Sequence, residues 1–164
     1  MGIFSYAPGA RQKSKPVNTM KVYLGADHGG FERKEHIKSY LDGLGYDVED
    51  AGAHTLDTQD DYPQFAKEVA GKVAADADSR GILFCRSGIG MDITANKVRG
   101  ARCAQIFTVE MAKKSREHND ANVLSIATDY IPEEDVLEIV KTWLETPFSK
   151  DERHARRIAQ IETQ

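Results

Sequence analysis

A thiol, a hydroxyl and a glycine-punctuated turn stand together in the middle of the chain. Cys85 closes the apolar run 81–84 and leads through Arg86 and Ser87 into Gly88, Ile89 and Gly90, with a helix expected from near Met91. A strand that exits into such a turn offers free backbone N–H groups, a setting suited to holding an anion or a charge that develops during reaction. A cysteine there gains thiolate character from the helix end and from a neighbouring cation such as Arg86, and could serve as nucleophile or as proton-transfer base. The competing reading is a buried cysteine that packs as a small hydrophobe. Gly88 and Gly90 allow dihedrals that a side chain forbids. No lysine follows the last glycine, and the pattern does not follow the first strand, so neither nucleotide-binding signature fits.

Two further clusters supply carboxylates and imidazoles. Asp27 and His28 precede Gly29 and Gly30. Asp27 reads either as a helix cap or as an acid–base group. An imidazole in a glycine turn is better placed to contact a ligand, donating to an anion or moving protons near neutrality. His118, Asn119 and Asp120 follow a short helical stretch, where a histidine also favours the helix dipole and the other two make ordinary turns. Near the C-terminus, Arg153 and Arg157 are four apart among His154 and Arg156. On a helix they share a face, and their forks suit bidentate phosphate binding; a solvated charged face is the alternative. Asp57, Asp60 and Asp61 lie in one loop without a histidine pair, which reads as a solvated acidic loop rather than a metal site. His36 and His54 read as a helix-surface and a loop residue.

The elements that must position these groups alternate. Strands are expected at 21–26, 46–48, 81–84, 101–107 and 123–127. Helices are expected at about 31–44, from 62 through 73, at 109–117 and at 132–144, with a basic segment over 150–161. Apolar residues Ile37, Tyr40, Leu41 and Leu44, and later Val136, Ile139, Val140, Trp143 and Leu144, recur at helical spacing. Strands alternating with helices indicate a parallel sheet covered on both faces. Such sheets bind ligands beyond the carboxyl ends of their strands. All three clusters, Asp27–His28, 85–90 and His118–Asn119, are expected at that edge.

Composition narrows the function. The chain has 164 residues, which suits one domain, and a formal charge of -4 without a basic stripe, which argues against nucleic acid. No apolar run approaches the roughly 20 residues that span a bilayer. Cys85 and Cys103 both sit at apolar runs and read as reduced thiols of a cytoplasmic protein. Residues 1–19 carry Pro8, Pro16, Arg11, Lys13 and Lys15 but no acid or periodicity, and read as a leader or extension outside a folded domain over 20–164.

These stretches together resemble one family, the ribose-5-phosphate isomerase B group with its galactose-6-phosphate isomerase subunits. The marks are G-A-D-H-G-G at 25–30, D-Y-P at 61–63, C-R-S-G-I-G with A-N-K across 85–97, R-E-H-N-D-A-N-V at 116–123 and R-H-x-x-R at 153–157. The resemblance implies a single-domain, Rossmann-like three-layer α/β sandwich with a five-stranded parallel sheet and a basic helical extension. It implies a homodimer, or a tetramer, with active sites shared between subunits, and aldose–ketose isomerisation of a sugar phosphate without metal or other cofactor. By motif, Cys85 resembles the base that moves a proton between C1 and C2. Ser87 with Gly88, Ile89 and Gly90 would hold the enediolate oxygens. His118 would open the furanose ring with help from Asp27, Asn119 would bind the sugar, and His28, Arg153 and Arg157 would grip the phosphate. A second branch of the family uses a glutamate six positions after the cysteine; Met91 stands there, which is similar to the cysteine branch. Three positions depart from the pattern. Arg86 replaces a usual glycine and could contact substrate, Asp92 replaces a small residue, and Asp129 stands where an arginine commonly reaches the phosphate from the partner. Either Asp129 points away, Arg86 compensates, or the sugar differs from ribose 5-phosphate.

Overall fold

The computed structural model describes residues 19–163; the expected leader over 1–19 lies, Thr19 apart, outside them. Short runs, largely apolar apart from the acidic β2, form five strands: β1 (Lys21–Ala26), β2 (Asp47–Asp50), β3 (Arg80–Cys85), β4 (Cys103–Ile106) and β5 (Val123–Ala127). They make one sheet in the order β2-β1-β3-β5-β4, every pairing parallel. The helices are α1 (Phe31–Gly43), α2 (Tyr62–Ala75), α3 (Ile89–Ala95), α4 (Val109–Asn119), α5 (Glu133–Glu145) and α6 (Glu152–Glu162). This is the expected α/β architecture, with α6 formed by the basic C-terminal segment.

Alternation along the strands divides the core in two. Leu24, Ile82, Phe84, Leu124 and Ile126 face Ile37, Leu41, Val136, Ile139, Val140 and Trp143 of α1 and α5. Tyr23, Leu83, Cys85 and Val123 face Ala66, Val69, Val73, Met91 and Ala95 of α2 and α3. A fully buried aliphatic side chain of this kind contributes about 1.5–3 kcal/mol. The period of two therefore sends the Cys85 sulfur to the α2–α3 side and its neighbour Arg86 away from it.

Two boundary shifts bear on the site. β4 is shorter than expected because Ala101 closes a turn onto Val98 and Arg102 is diverted to clasp the backbone at Asn119 and Asp120. α4 is longer, running to Asn119 before Asp120 stops it in the left-handed conformation at φ 45. His118 and Asn119 thus belong to the last turn of α4. That helix begins beyond the carboxyl end of β4 and returns to the amino end of the sheet.

Candidate active site

The strand order reverses at β1, whose neighbours are β2 and β3, and the crevice of a doubly wound sheet opens at such a point. Here the turns after β1 and β3 meet. Thr128, just past β5, joins them: its hydroxyl donates to the Gly29 carbonyl at 3.0 Å and to the Cys85 carbonyl at 3.3 Å.

Cys85 is 5% exposed, and its sulfur accepts the Gly88 N–H at 3.1 Å. Burial pushes this thiol above its ordinary range. The N–H groups of Gly88, Met91 and Ser87 pull it down, while the negative charge of Asp27 adds to the rise. The turn is built around the sulfur, and its N–H groups offset part of the cost that burial and Asp27 place on a thiolate. The expected help from Arg86 is absent. Its side chain leaves on the other side of the strand and reaches Asp129 at 3.9 Å, with 69% and 51% of the two side chains exposed.

The turn is held from below. Gln105 donates to the Ser87 carbonyl, and the Ser125 hydroxyl donates to the Gly88 carbonyl at 2.7 Å. Gly88 adopts φ 73, where a Cβ would also meet Gln105 Nε2 at 2.8 Å. A Cβ on Gly90 would enter the Tyr62 ring at 2.6 Å, so the tyrosine lies directly on the turn. Ser87 Oγ accepts from Ile89 N at 3.4 Å.

Asp27 is 8% exposed and accepts the Gly30 N–H at 3.1 Å. Burial raises its carboxyl, against the Gly30 and Gly29 N–H groups and His28, which lower it. Asp60 adds to the rise in Asp27, and the charge of Asp27 in turn opposes ionisation of Cys85. His28 is fixed by Asp60, whose Oδ1 lies 2.7 Å from the ring Nδ1.

A second group forms at the amino end of the sheet. His118 stacks on His154 of α6 with ring centroids 4.3 Å apart and an angle of 16°. Burial, then the nearby His118, holds His154 below its ordinary range. His154 is buried, while Arg153 and Arg157 on either side of it are exposed. Asn119 is exposed on the last turn of α4, and Asn122 beyond it accepts from Gly81 N at the start of β3. The expectation that His118 and Asn119 share an edge with Cys85 is corrected for the single chain. A helix that follows a parallel strand runs back along it, so its end falls about 15 Å away, a strand's length.

A family model for ribose/galactose isomerases matches residues 22–161. The chain belongs to that family. Ribose-5-phosphate isomerase B of Mycolicibacterium paratuberculosis is 46% identical over 139 residues, covering 85% of this chain and 87% of the relative. The Thermotoga maritima ribose 5-phosphate isomerase structure superposes with a TM-score of 0.85 at 40% identity, covering 90% of this chain and all of that one. The Mycoplasma genitalium ribose-5-phosphate isomerase B with bound ribulose-5-phosphate gives 0.85 at 34% identity, covering 88% and 95%. Membership makes this chain an isomerase of the aldose–ketose class.

Within this isomerase, four supporting residues escaped the sequence reading. Gln105, Ser125 and Thr128 hold the turns from strand interiors or exits, where a polar residue in a core run was the available signal. Asp60 was absorbed into an acidic loop, but it is half-buried where Asp57 and Asp61 are exposed. His154 was noted only as part of a basic patch; the structure makes it the shelf for His118. Among the described residues, no group of three or more His, Cys, Asp or Glu has the geometry to hold a metal ion. No helix among them is long and apolar enough to cross a membrane.

Proposed function

We propose that this isomerase interconverts D-ribose 5-phosphate and D-ribulose 5-phosphate in the cytoplasm, through an enediolate and without a cofactor. The observation that carries the reading is the buried Cys85 sulfur ringed by backbone N–H donors beside Asp27. Isomerisation needs one base that reaches both C1 and C2. The Cys85 thiolate takes the proton from C2 of the open aldose and returns it to C1. Ser87 and the turn through Gly88, Ile89 and Gly90 hold the two oxygens as charge develops. Asp27 assists at the ring oxygen or hydroxyl, and His28 and Arg86 face the charged end of the substrate.

His118, Asn119, Arg153 and Arg157 complete the site from a second copy of the chain in this reading. Their place at the far edge of their own sheet supports it, as does the surface beside Cys85. Ile89 and Ile93, one helical turn apart on α3 directly after the Cys85 turn, are 54% and 55% exposed. An apolar patch by a half-built site suits an isologous dimer, alone or paired into a tetramer.

One observation favours a different sugar. The Arg86–Asp129 pair puts a carboxylate on the rim, which disfavours a phosphate there unless Arg86 offsets it. Assay of purified, chelator-treated protein against four-, five- and six-carbon aldose phosphates decides the matter. Ketose formation fastest with ribose 5-phosphate, and its near abolition in Cys85→Ala with an unchanged circular dichroism spectrum, is the expected result. Full activity in Cys85→Ala would remove the assigned base. Binding of the panel without turnover would favour a non-catalytic sugar-phosphate-binding subunit.

A further inference from the structure

Asp60 directs both of its hydrogen bonds at a single residue across the crevice. Its side chain is 6% exposed, Oδ1 accepts the His28 backbone N–H at 3.1 Å, and the same oxygen lies 2.7 Å from His28 Nδ1. Oδ2 is buried and has no hydrogen-bond partner among the described residues. A carboxylate that only shaped its own loop would bond within it, as Asp57 does with Gln59 N at 2.9 Å and Asp76 with Asp78 N at 3.1 Å. The bonds of Asp60 instead run from the segment before α2 to the turn after β1.

An ionised carboxylate can only accept, so the Nδ1 that meets it carries the proton. Nε2 is then the ring atom left for a ligand, and the His28 side chain keeps 30% of its surface open beside Asp27 and the Cys85 turn. Which nitrogen of a histidine faces its ligand is set by the bond the other one makes.

We infer that Asp60 is a positioning residue of the isomerase site: it fixes the orientation and tautomer of His28 so that Nε2 meets the sugar phosphate. This rests on the reading of His28 as a substrate contact. Asp60 itself touches no reacting atom; it acts through the imidazole, as a carboxylate behind a histidine does elsewhere.

The test uses ring-nitrogen NMR shifts of His28 in the free protein together with steady-state kinetics on the preferred sugar phosphate. Wild type is expected to show Nδ1 protonated and Nε2 bare in the neutral ring. Asp60→Ala is expected to mix the tautomers and to raise KM about tenfold or more, with kcat changed less. Asp60→Asn, whose amide oxygen can accept the same bond, is expected to recover most of both. Wild-type KM in Asp60→Ala, or a raised KM with unchanged His28 shifts, would overturn the inference. Should Asp60→Ala fail to fold, Asp60→Asn decides: a displaced Nδ1 proton with wild-type KM sinks the idea, and a retained one with near wild-type KM upholds it. A wild type that turns over no sugar phosphate overturns the functional reading instead, while the shifts of the free protein still report whether Asp60 sets the tautomer.

Discussion

Cys85 and His118 stand at opposite edges of one sheet, the first where β3 ends and the second on the last turn of α4, which returns to where β5 begins. No side-chain motion closes a gap of about 15 Å. If both act on one sugar, they come from different chains. In the proposed dimer, the Cys85→Ala and His118→Ala variants should each be nearly inactive alone. Unfolding the two together and refolding should restore about a quarter of the wild-type rate, because half of randomly paired dimers are mixed and each holds one intact site. Subunit exchange seen by native mass spectrometry with no return of activity would refute the shared site.

Asp27 and Cys85 are coupled through charge. Burial raises the thiol first, and Asp27 adds to it. A base must be deprotonated to act, so kcat/KM should climb with pH on its alkaline side, and alkylation of the thiol should climb with it. Removing the carboxylate in Asp27→Asn lowers the cost of the thiolate, so the alkylation curve should move to lower pH. A Cys103→Ala background keeps the other thiol out of the measurement; burial holds that one well above the ordinary range. An unmoved or upward-shifted curve would mean that Asp27 does not act on the sulfur.

Arg86 and Asp129 form a loose, exposed pair at the rim, joined also by the Asp129 N–H to the Arg86 carbonyl at 3.0 Å. The aliphatic stem of Arg86 lies against Gly29, where a Cβ would come within 2.5 Å of its Cγ. If the guanidinium serves the phosphate, Arg86→Ala should raise KM and spare kcat. Asp129→Ala should do the reverse and lower KM. Exposed pairs are worth little, so a change of about two- to fivefold is expected, fading as salt is added. A KM that rises in Asp129→Ala would show instead that the acid is needed to aim the arginine.

The fold was legible because its signals are local. The apolar strand runs, the helical spacing in α5 and the glycine turns all reflect burial and backbone freedom near each residue. The motifs around Asp27 and Cys85 were legible for the same reason. What the sequence hid was direction. The end of α4 was read as sharing an edge with Cys85, although a helix after a parallel strand must run back. Arg86 was read as a partner of the thiol, although neighbours on a strand leave on opposite sides. Asp60 and His154 gain their roles from contacts between distant segments, with His28 32 residues from Asp60. Nothing in local composition marks such a pair.

The structure buries Lys34 of α1 completely. Its ammonium lies 2.5 Å from Asp50 Oδ2 and 2.7 Å from Glu35 Oε1, over the Phe31 ring. Lys38 reaches the same Asp50 oxygen at 2.9 Å. Burial alone would raise the Asp50 carboxyl, but Lys34, Lys38 and the Gly52 N–H outweigh it and hold it low. Asp50→Asn should therefore destabilise the protein by about 3 kcal/mol near neutrality, since it takes away the buried anion and leaves the Lys34 ammonium only the exposed Glu35. The sign with pH follows from the lowered carboxyl. The unfolded chain takes up the proton first, so the stabilisation is complete above the ordinary value of about 3.9 and is lost as pH falls below it. Urea midpoints of wild type and Asp50→Asn should therefore differ most at neutral pH and converge in acid. Adding Lys34→Met to Asp50→Asn should recover part of the loss, because the unpaired charge is then gone. A gap that widens in acid, or a double variant weaker than the sum of the singles, would mean that the pair does not hold α1 against β2 by charge.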